Sequence, residues 1–129
     1  MRQHKYRYWY SGKMEEVGQI DFFENGTYRV NDELVGGVLM EFTGLKDKNG
    51  KEIYEGDIIR FTEVDEDSAF GVEETYVTEV KWIDELAQWR VVFPSGRKTE
   101  LHCVIKIPCF YKQEIIGNIY ENPELLSSN

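Results

Sequence analysis

The chain has 129 residues, 41% hydrophobic and 14% aromatic, enough to fill the core of one domain or of one domain with a small appendage. Its 15 Lys and Arg face 24 Asp and Glu, a formal net charge of −9, which disfavours direct binding to nucleic acid or anionic lipid because that binding needs clustered cations. No apolar run reaches the ~20 residues that span a bilayer, and the N-terminal MRQHKYRYWYSGKM lacks the aliphatic stretch of a signal peptide, so no membrane contact and a cytoplasmic setting are expected.

In chain order, Lys5–Tyr10 alternates Tyr6, Tyr8 and Tyr10 against Lys5, Arg7 and Trp9, a period of two that predicts a strand. Ser11-Gly12-Lys13 is a turn. Gln19–Phe23 and Thr27–Val30 flank Glu24-Asn25-Gly26, and Asn-Gly between β-rich runs predicts a hairpin because both central positions tolerate positive φ. Gly36-Gly37 allows a bend or bulge.

Val38–Phe42 begins the densest stretch, with a second Asn-Gly in the loop Lys46-Asp47-Lys48-Asn49-Gly50. Glu55-Gly56-Asp57 reads as the turn before a strand over Asp57–Thr62, with Gly in a constrained conformation and Asp capping the turn. The acidic run Glu63-Val64-Asp65-Glu66-Asp67-Ser68 is too polar to bury and predicts a hairpin loop. Beyond it, Tyr76, Val80 and Trp82 share one face of a strand over Glu74–Ile83. Trp89, Val91 and Phe93 share a face of the next strand after a turn at Asp84–Gln88.

Lys98–Ile107 reads as one long or two short strands, and Glu114–Tyr120 as a last strand bent at Gly117. Asn122-Pro123-Glu124 has the grammar of a helix start with Asn as N-cap. Short strands separated by Gly-rich turns predict a mostly β fold. The expected organisation is a small N-terminal sheet over 1–37, then an SH3-like small β-barrel over 38–129 that ends in a short helical turn.

The run Phe42-Thr43-Gly44-Leu45-Lys46-Asp47-Lys48-Asn49-Gly50-Lys51-Glu52-Ile53-Tyr54-Glu55-Gly56-Asp57-Ile58 resembles the YopX family of phage and prophage proteins. The opening Lys5-Tyr6-Arg7-Tyr8-Trp9 with Lys13-Met14 is similar to the family's start, although Tyr6 stands where Phe is common. Glu114-Ile115-Ile116-Gly117-Asn118-Ile119-Tyr120-Glu121-Asn122-Pro123-Glu124-Leu125-Leu126 is similar to its ending. The resemblance covers essentially the whole chain, apart from the acidic 63–74 segment. It implies a β-rich fold and a phage or prophage origin in a bacterial host, and it supplies no catalytic residue to carry over.

Chemistry-bearing clusters are sparse. Glu63, Asp65, Asp67, Glu73 and Glu74 offer oxygen ligands, but without the spacing of a calcium loop. His102, Cys103 and Cys109 suggest zinc, yet neighbours in a strand point to opposite faces and a fourth ligand is missing. Cys103 has no orienting third group to make it a nucleophile. No phosphate-binding, metalloprotease or nucleophile-elbow motif occurs. The expectation is therefore a protein that is not an enzyme and has no cofactor or metal.

It would act by protein–protein contact, as a homo-oligomer or with a host or phage protein. The expected surface is the aromatic strand (Tyr6, Tyr8, Trp9, Tyr10) with the acidic residues Glu63, Asp65, Asp67 and Glu74. An acidic mimic of nucleic acid that captures host DNA- or RNA-binding machinery is the alternative, and a hydrolase using Asp57 or His102 is the third.

Overall fold

The computed structural model describes residues 4–34, 36–65, 69–93 and 95–127. The architecture is mostly β with few short helices, as the strand pattern predicts. Two compact units divide the chain, Met1–Phe42 and Thr43–Asn129. Their boundary and the sequence-based one at 37/38 bracket the first half of a single strand.

In the first unit, β1 (Tyr6–Tyr10) and β2 (Lys13–Glu16) form a hairpin with Tyr10 opposite Lys13 and Trp9 opposite Met14. The turn residues Ser11 and Gly12 both have positive φ, as a two-residue hairpin loop requires. A second, two-stranded ribbon is made by β3 (Ile20–Phe22) and β4 (Tyr28–Val30) around the Asn25-Gly26 turn. The Asn25 side chain accepts a hydrogen bond from the Thr27 N–H there, at 3.1 Å.

The unit closes when β5 (Val38–Lys46) lies antiparallel to β1, with Tyr8 opposite Leu39. Tyr8 is completely buried, and the Gly37 N–H donates to its hydroxyl at 2.6 Å. Gly37 is there for space: a Cβ would lie 2.4 Å from the Trp9 carbonyl oxygen and 2.6 Å from Tyr8 Cζ.

The second unit starts with β6 (Glu52–Tyr54), the neighbour of β5. An antiparallel meander follows of β7 (Asp57–Val64), β8 (Glu73–Ile83), β9 (Gln88–Val92) and β10 (Lys98–Glu100). The last strand, β11 (Phe110–Asn118), returns to the free side of β7 with two register shifts. Its core gathers Ile59, Phe61, Val80, Trp89, Val91, Phe93 and Phe110, the inward positions of four strands. Phe61 meets Phe93 and Phe110 edge to face at 5.9 and 5.7 Å.

One expectation is corrected. Strand stops at Glu100, and Leu101–Lys106 is an α-helix, α1. Leu101 and Val104 are both fully buried, and only a helix turns two residues three apart toward the same core. Tertiary burial thus overrides the β-propensity of Val104 and Ile105. The helix stops before Pro108, which disfavours helical backbone in the residue ahead of it. A final helical turn, α2 (Glu124–Ser127), sits where the Asn-Pro signal placed it. The Asn122 side chain accepts from the Asn118 N–H at 3.3 Å, and its carbonyl accepts from the Leu125 N–H of the helix at 3.1 Å. Among the described residues no helix is long and apolar enough to cross a membrane.

The Glu55-Gly56-Asp57 turn is structural, as its composition predicts. Gly56 has φ +86°; its N–H donates to Val80 and its carbonyl accepts from Ile119, both at 2.9 Å. Asp57 is 1% exposed and accepts the Tyr54 N–H at 2.8 Å. Replacing Asp57 by Ala orphans that donor, which costs about 1–3 kcal/mol and lowers the melting midpoint by roughly 3–12 °C. Gly37→Ala lowers it as well, because the nearest obstacle is backbone. Thermal unfolding followed by circular dichroism measures both; a midpoint unchanged in either variant contradicts the corresponding contact.

Candidate functional site

The residues expected to form a surface separate into two regions. On β1, Tyr8 is core: it is buried, stacks on Tyr10 at 6.1 Å and meets Tyr28 edge to face at 6.4 Å. A residue with no exposed area cannot touch a partner, so Tyr8 leaves the proposed surface. Tyr6, Trp9 and Tyr10 are half-buried.

The exposed aromatics of this unit lie elsewhere, on the β3–β4 ribbon. Phe22 is 74% exposed and Phe23 45% exposed. Adjacent residues of an extended chain point to opposite faces, so one covering layer cannot bury both. Phe22 leans on Tyr28 at 6.3 Å, and the Arg29 guanidinium lies over the Phe23 ring at 5.6 Å.

Polar contacts rim the pair. Arg29 makes an ion pair with Asp21 at 3.2 Å, and the Gln19 amide donates to Asp21 at 3.0 Å and to Asp32 at 3.2 Å. The Gln19 hydrogen bond, followed by that of Arg29, holds the Asp21 carboxyl below its ordinary range. Sequence reasoning placed these phenylalanines on a strand and stopped there. The available signal was three aromatics around a turn in a ribbon of two strands, which is too small to cover them.

The acidic residues belong to the second unit. Glu63 on β7 and Glu74 on β8 are brought directly opposite each other. Like charges in register repel, and Arg97 offsets this by clasping Glu63 at 3.3 and 3.4 Å. The same guanidinium lies 4.6 Å from the centre of the Phe93 ring. Hydrogen bonding to Glu63 pushes the Arg97 pKa up. Glu74 accepts the Tyr76 hydroxyl proton at 2.5 Å, which raises the Tyr76 phenol.

Asp65 lies exposed just past the end of β7, and its N–H is bonded to the Val72 carbonyl at 2.8 Å. Asp67 lies outside the described residues. Among the described acids, Glu63 and Glu74 are thus joined to Arg97 and Tyr76 in one mixed network.

His102 and Cys103 are consecutive on α1, so the strand argument about their faces no longer applies. His102 is exposed, while Cys103 is half-buried with its thiol 3.8 Å from a Glu100 carboxylate oxygen. Among the described residues no group of three His, Cys, Asp or Glu is placed to hold a metal ion. Asp57 is occupied as a turn cap.

Comparison with known proteins places these features in context. A family profile described as YopX protein matches residues 3–127. The solved structure of protein yopX from Bacillus subtilis is similar, with a TM-score of 0.63 and 24% identity over 98% of this chain and 99% of that one. Protein EF1440 from Enterococcus faecalis is similar with a TM-score of 0.51 and 25% identity, over 98% and 99% of the two chains. No curated protein matches.

The Glu63–Arg97 contact is testable by a double-mutant cycle. Arg97→Gln alone leaves Glu63 facing Glu74 without a cation, whereas adding Glu63→Gln removes the repulsion. The coupling expected for such a partly exposed pair is about 0.2–1 kcal/mol, reduced at high salt. Urea unfolding at low and high sodium chloride measures it; additive single effects would show that the pair contributes nothing.

Proposed function

The chain belongs to the YopX family, and on that premise we propose that it is a non-enzymatic interaction module that works by protein–protein contact as a homo-oligomer. The supporting observation is the Phe22–Phe23 pair. Two large aromatics held in solvent on the two faces of a short ribbon, with Arg29, Asp21 and Gln19 beside them, have the make-up of an interface element: apolar centre and polar rim. A phage or prophage accessory role in the bacterial cytoplasm is part of the proposal, and its support is the family resemblance of the motif.

A second copy is the occupant that fits best, since a two-fold dimer lays one aromatic face of the ribbon against the same face of its partner. Each phenylalanine brings about 150–250 Å² of surface, so the patch falls well short of the ~1,200–2,000 Å² of a stable interface. The association is therefore weak and concentration-dependent.

The mimicry reading draws less support. A mimic of phosphates needs a row of uncompensated carboxylates, whereas Glu63 is clasped by Arg97 and Glu74 by Tyr76.

Size-exclusion chromatography with light scattering over a wide concentration range tests the proposal. The parent protein is expected to shift toward dimer as concentration rises. Phe22→Ser with Phe23→Ser weakens that shift more than tenfold, because each buried phenylalanine contributes about 1.5–3 kcal/mol. Strictly monomeric protein at the highest concentration removes the oligomer, and dimerisation unchanged in the double variant removes the patch.

A further inference from the structure

The second unit contains a cleft of about 520 Å³ between the β5–β6 turn and the C-terminal end of α1. That volume is in the range of small-molecule sites, about 300–1,000 Å³. Leu45 and Ile105 supply its apolar lining, and Lys46, Lys48 and Lys106 surround it.

Three lysines in the lining of one cleft stand out in a chain of net charge −9. Five other cations make ion pairs with acids: Lys13 with Glu15, Arg29 with Asp21, Arg60 with Glu114, Lys81 with Glu79 and Arg97 with Glu63. Among the described residues, none forms an ion pair with Lys46, Lys48 or Lys106. The acid in the cleft lining, Asp47, is 7% exposed and directs its carboxylate to the N–H groups of Asn49, Lys51 and Ile115. It forms no ion pair with the lysines.

A polar side chain of fixed orientation lies in the same lining. Gln113 lines the same cleft and is 8% exposed. Its amide nitrogen donates to the carbonyls of Val104 at 2.7 Å and Phe110 at 3.0 Å. Only the NH₂ end of an amide can donate to two carbonyls, which fixes the orientation of the group. The amide oxygen receives no hydrogen bond from a described residue. Gln113 is thus held in place through its amide nitrogen in the lining that also contains the three lysines.

We infer that this cleft binds a small phosphate-bearing compound of nucleotide size or less. Its phosphoryl group lies among Lys46, Lys48 and Lys106, and a hydroxyl or amino group donates to Gln113 Oε1. Lysine serves as a point charge for phosphate, and three such charges suit a dianion or trianion better than a single carboxylate. The cleft lies wholly within the second unit, away from Phe22 and Phe23 in sequence, so ligand binding and self-association can fail separately.

The test uses the full chain at low ionic strength, with pyrophosphate, ribose 5-phosphate, AMP and citrate as probes. Amide chemical-shift mapping is expected to show at least one phosphate probe moving the Lys46–Gly50 and Ile105–Lys106 signals, and calorimetry to give its affinity. Lys46→Gln, Lys48→Gln and Lys106→Gln together weaken that affinity by about tenfold or more, while Lys13→Gln with Lys98→Gln leaves it within about twofold. Shift mapping on the unaltered protein keeps the inference open to refutation if the triple variant does not fold. No response to any phosphate probe at about 5 mM overturns it, as does a triple variant that binds as tightly as the parent. Binding of citrate alone overturns the phosphate assignment.

Discussion

The carboxylate of Asp47 accepts three backbone N–H groups, from Asn49 at 2.9 Å and from Lys51 and Ile115 at 3.0 Å. The first two close the tight turn between β5 and β6. The third reaches 68 residues along the chain to β11. Near it the Lys48 N–H donates to the Gln113 carbonyl, so turn and strand are joined from both sides. A bulged strand leaves some of its N–H groups without a ladder partner, and an unmade buried bond costs more than a made one contributes. Asp47 resolves this for β11, and the position of Gln113 beneath α1 follows from it.

Asp57 solves the related problem one turn later. Its carboxylate caps the Tyr54 N–H, while Gly56 is bonded on one side to β8 and on the other to the segment after β11. Two buried acids in an acidic protein have the outward look of catalytic carboxylates. Both instead cap backbone amides, Asp47 three of them and Asp57 that of Tyr54, which accounts for their burial. The conspicuous run from Phe42 to Ile58 is therefore a set of turn solutions that β7, β8 and β11 all lean on.

What the sequence made legible was local. Ser11-Gly12, Asn25-Gly26 and Glu55-Gly56-Asp57 announce their turns because positive φ restricts the residue type at that very position. The alternation of Trp89, Val91 and Phe93 announces a buried strand face for the same reason: period and neighbour sit in one short window. The helix at Leu101–Lys106 was hidden because it is less than two turns long and exists to bury Leu101 and Val104 against a sheet formed earlier in the chain. Alternation on β1 identified a strand without saying which tyrosine would be covered, and Tyr8 is the one that Gly37 closes over. The exposure of Phe22 follows from how little a two-stranded ribbon covers, which residue alternation alone does not convey.

Net charge was the least transferable of the sequence signals. A total of −9 argues correctly about the long-range field, and it says nothing about where the cations sit. Screening limits exposed charges to a reach of about 8–10 Å at physiological salt, so a ligand in a cleft responds to its walls more than to the sum over the chain. Many of the carboxylates are taken up by cations, by backbone amides or by tyrosine, as Glu63, Asp47 and Glu74 illustrate. Acidic composition and a basic cleft are thus compatible because the acids are spent locally. The surplus that defines the composition is spread over surface and turns, whereas Lys46, Lys48 and Lys106 are brought together by one turn and the end of one short helix.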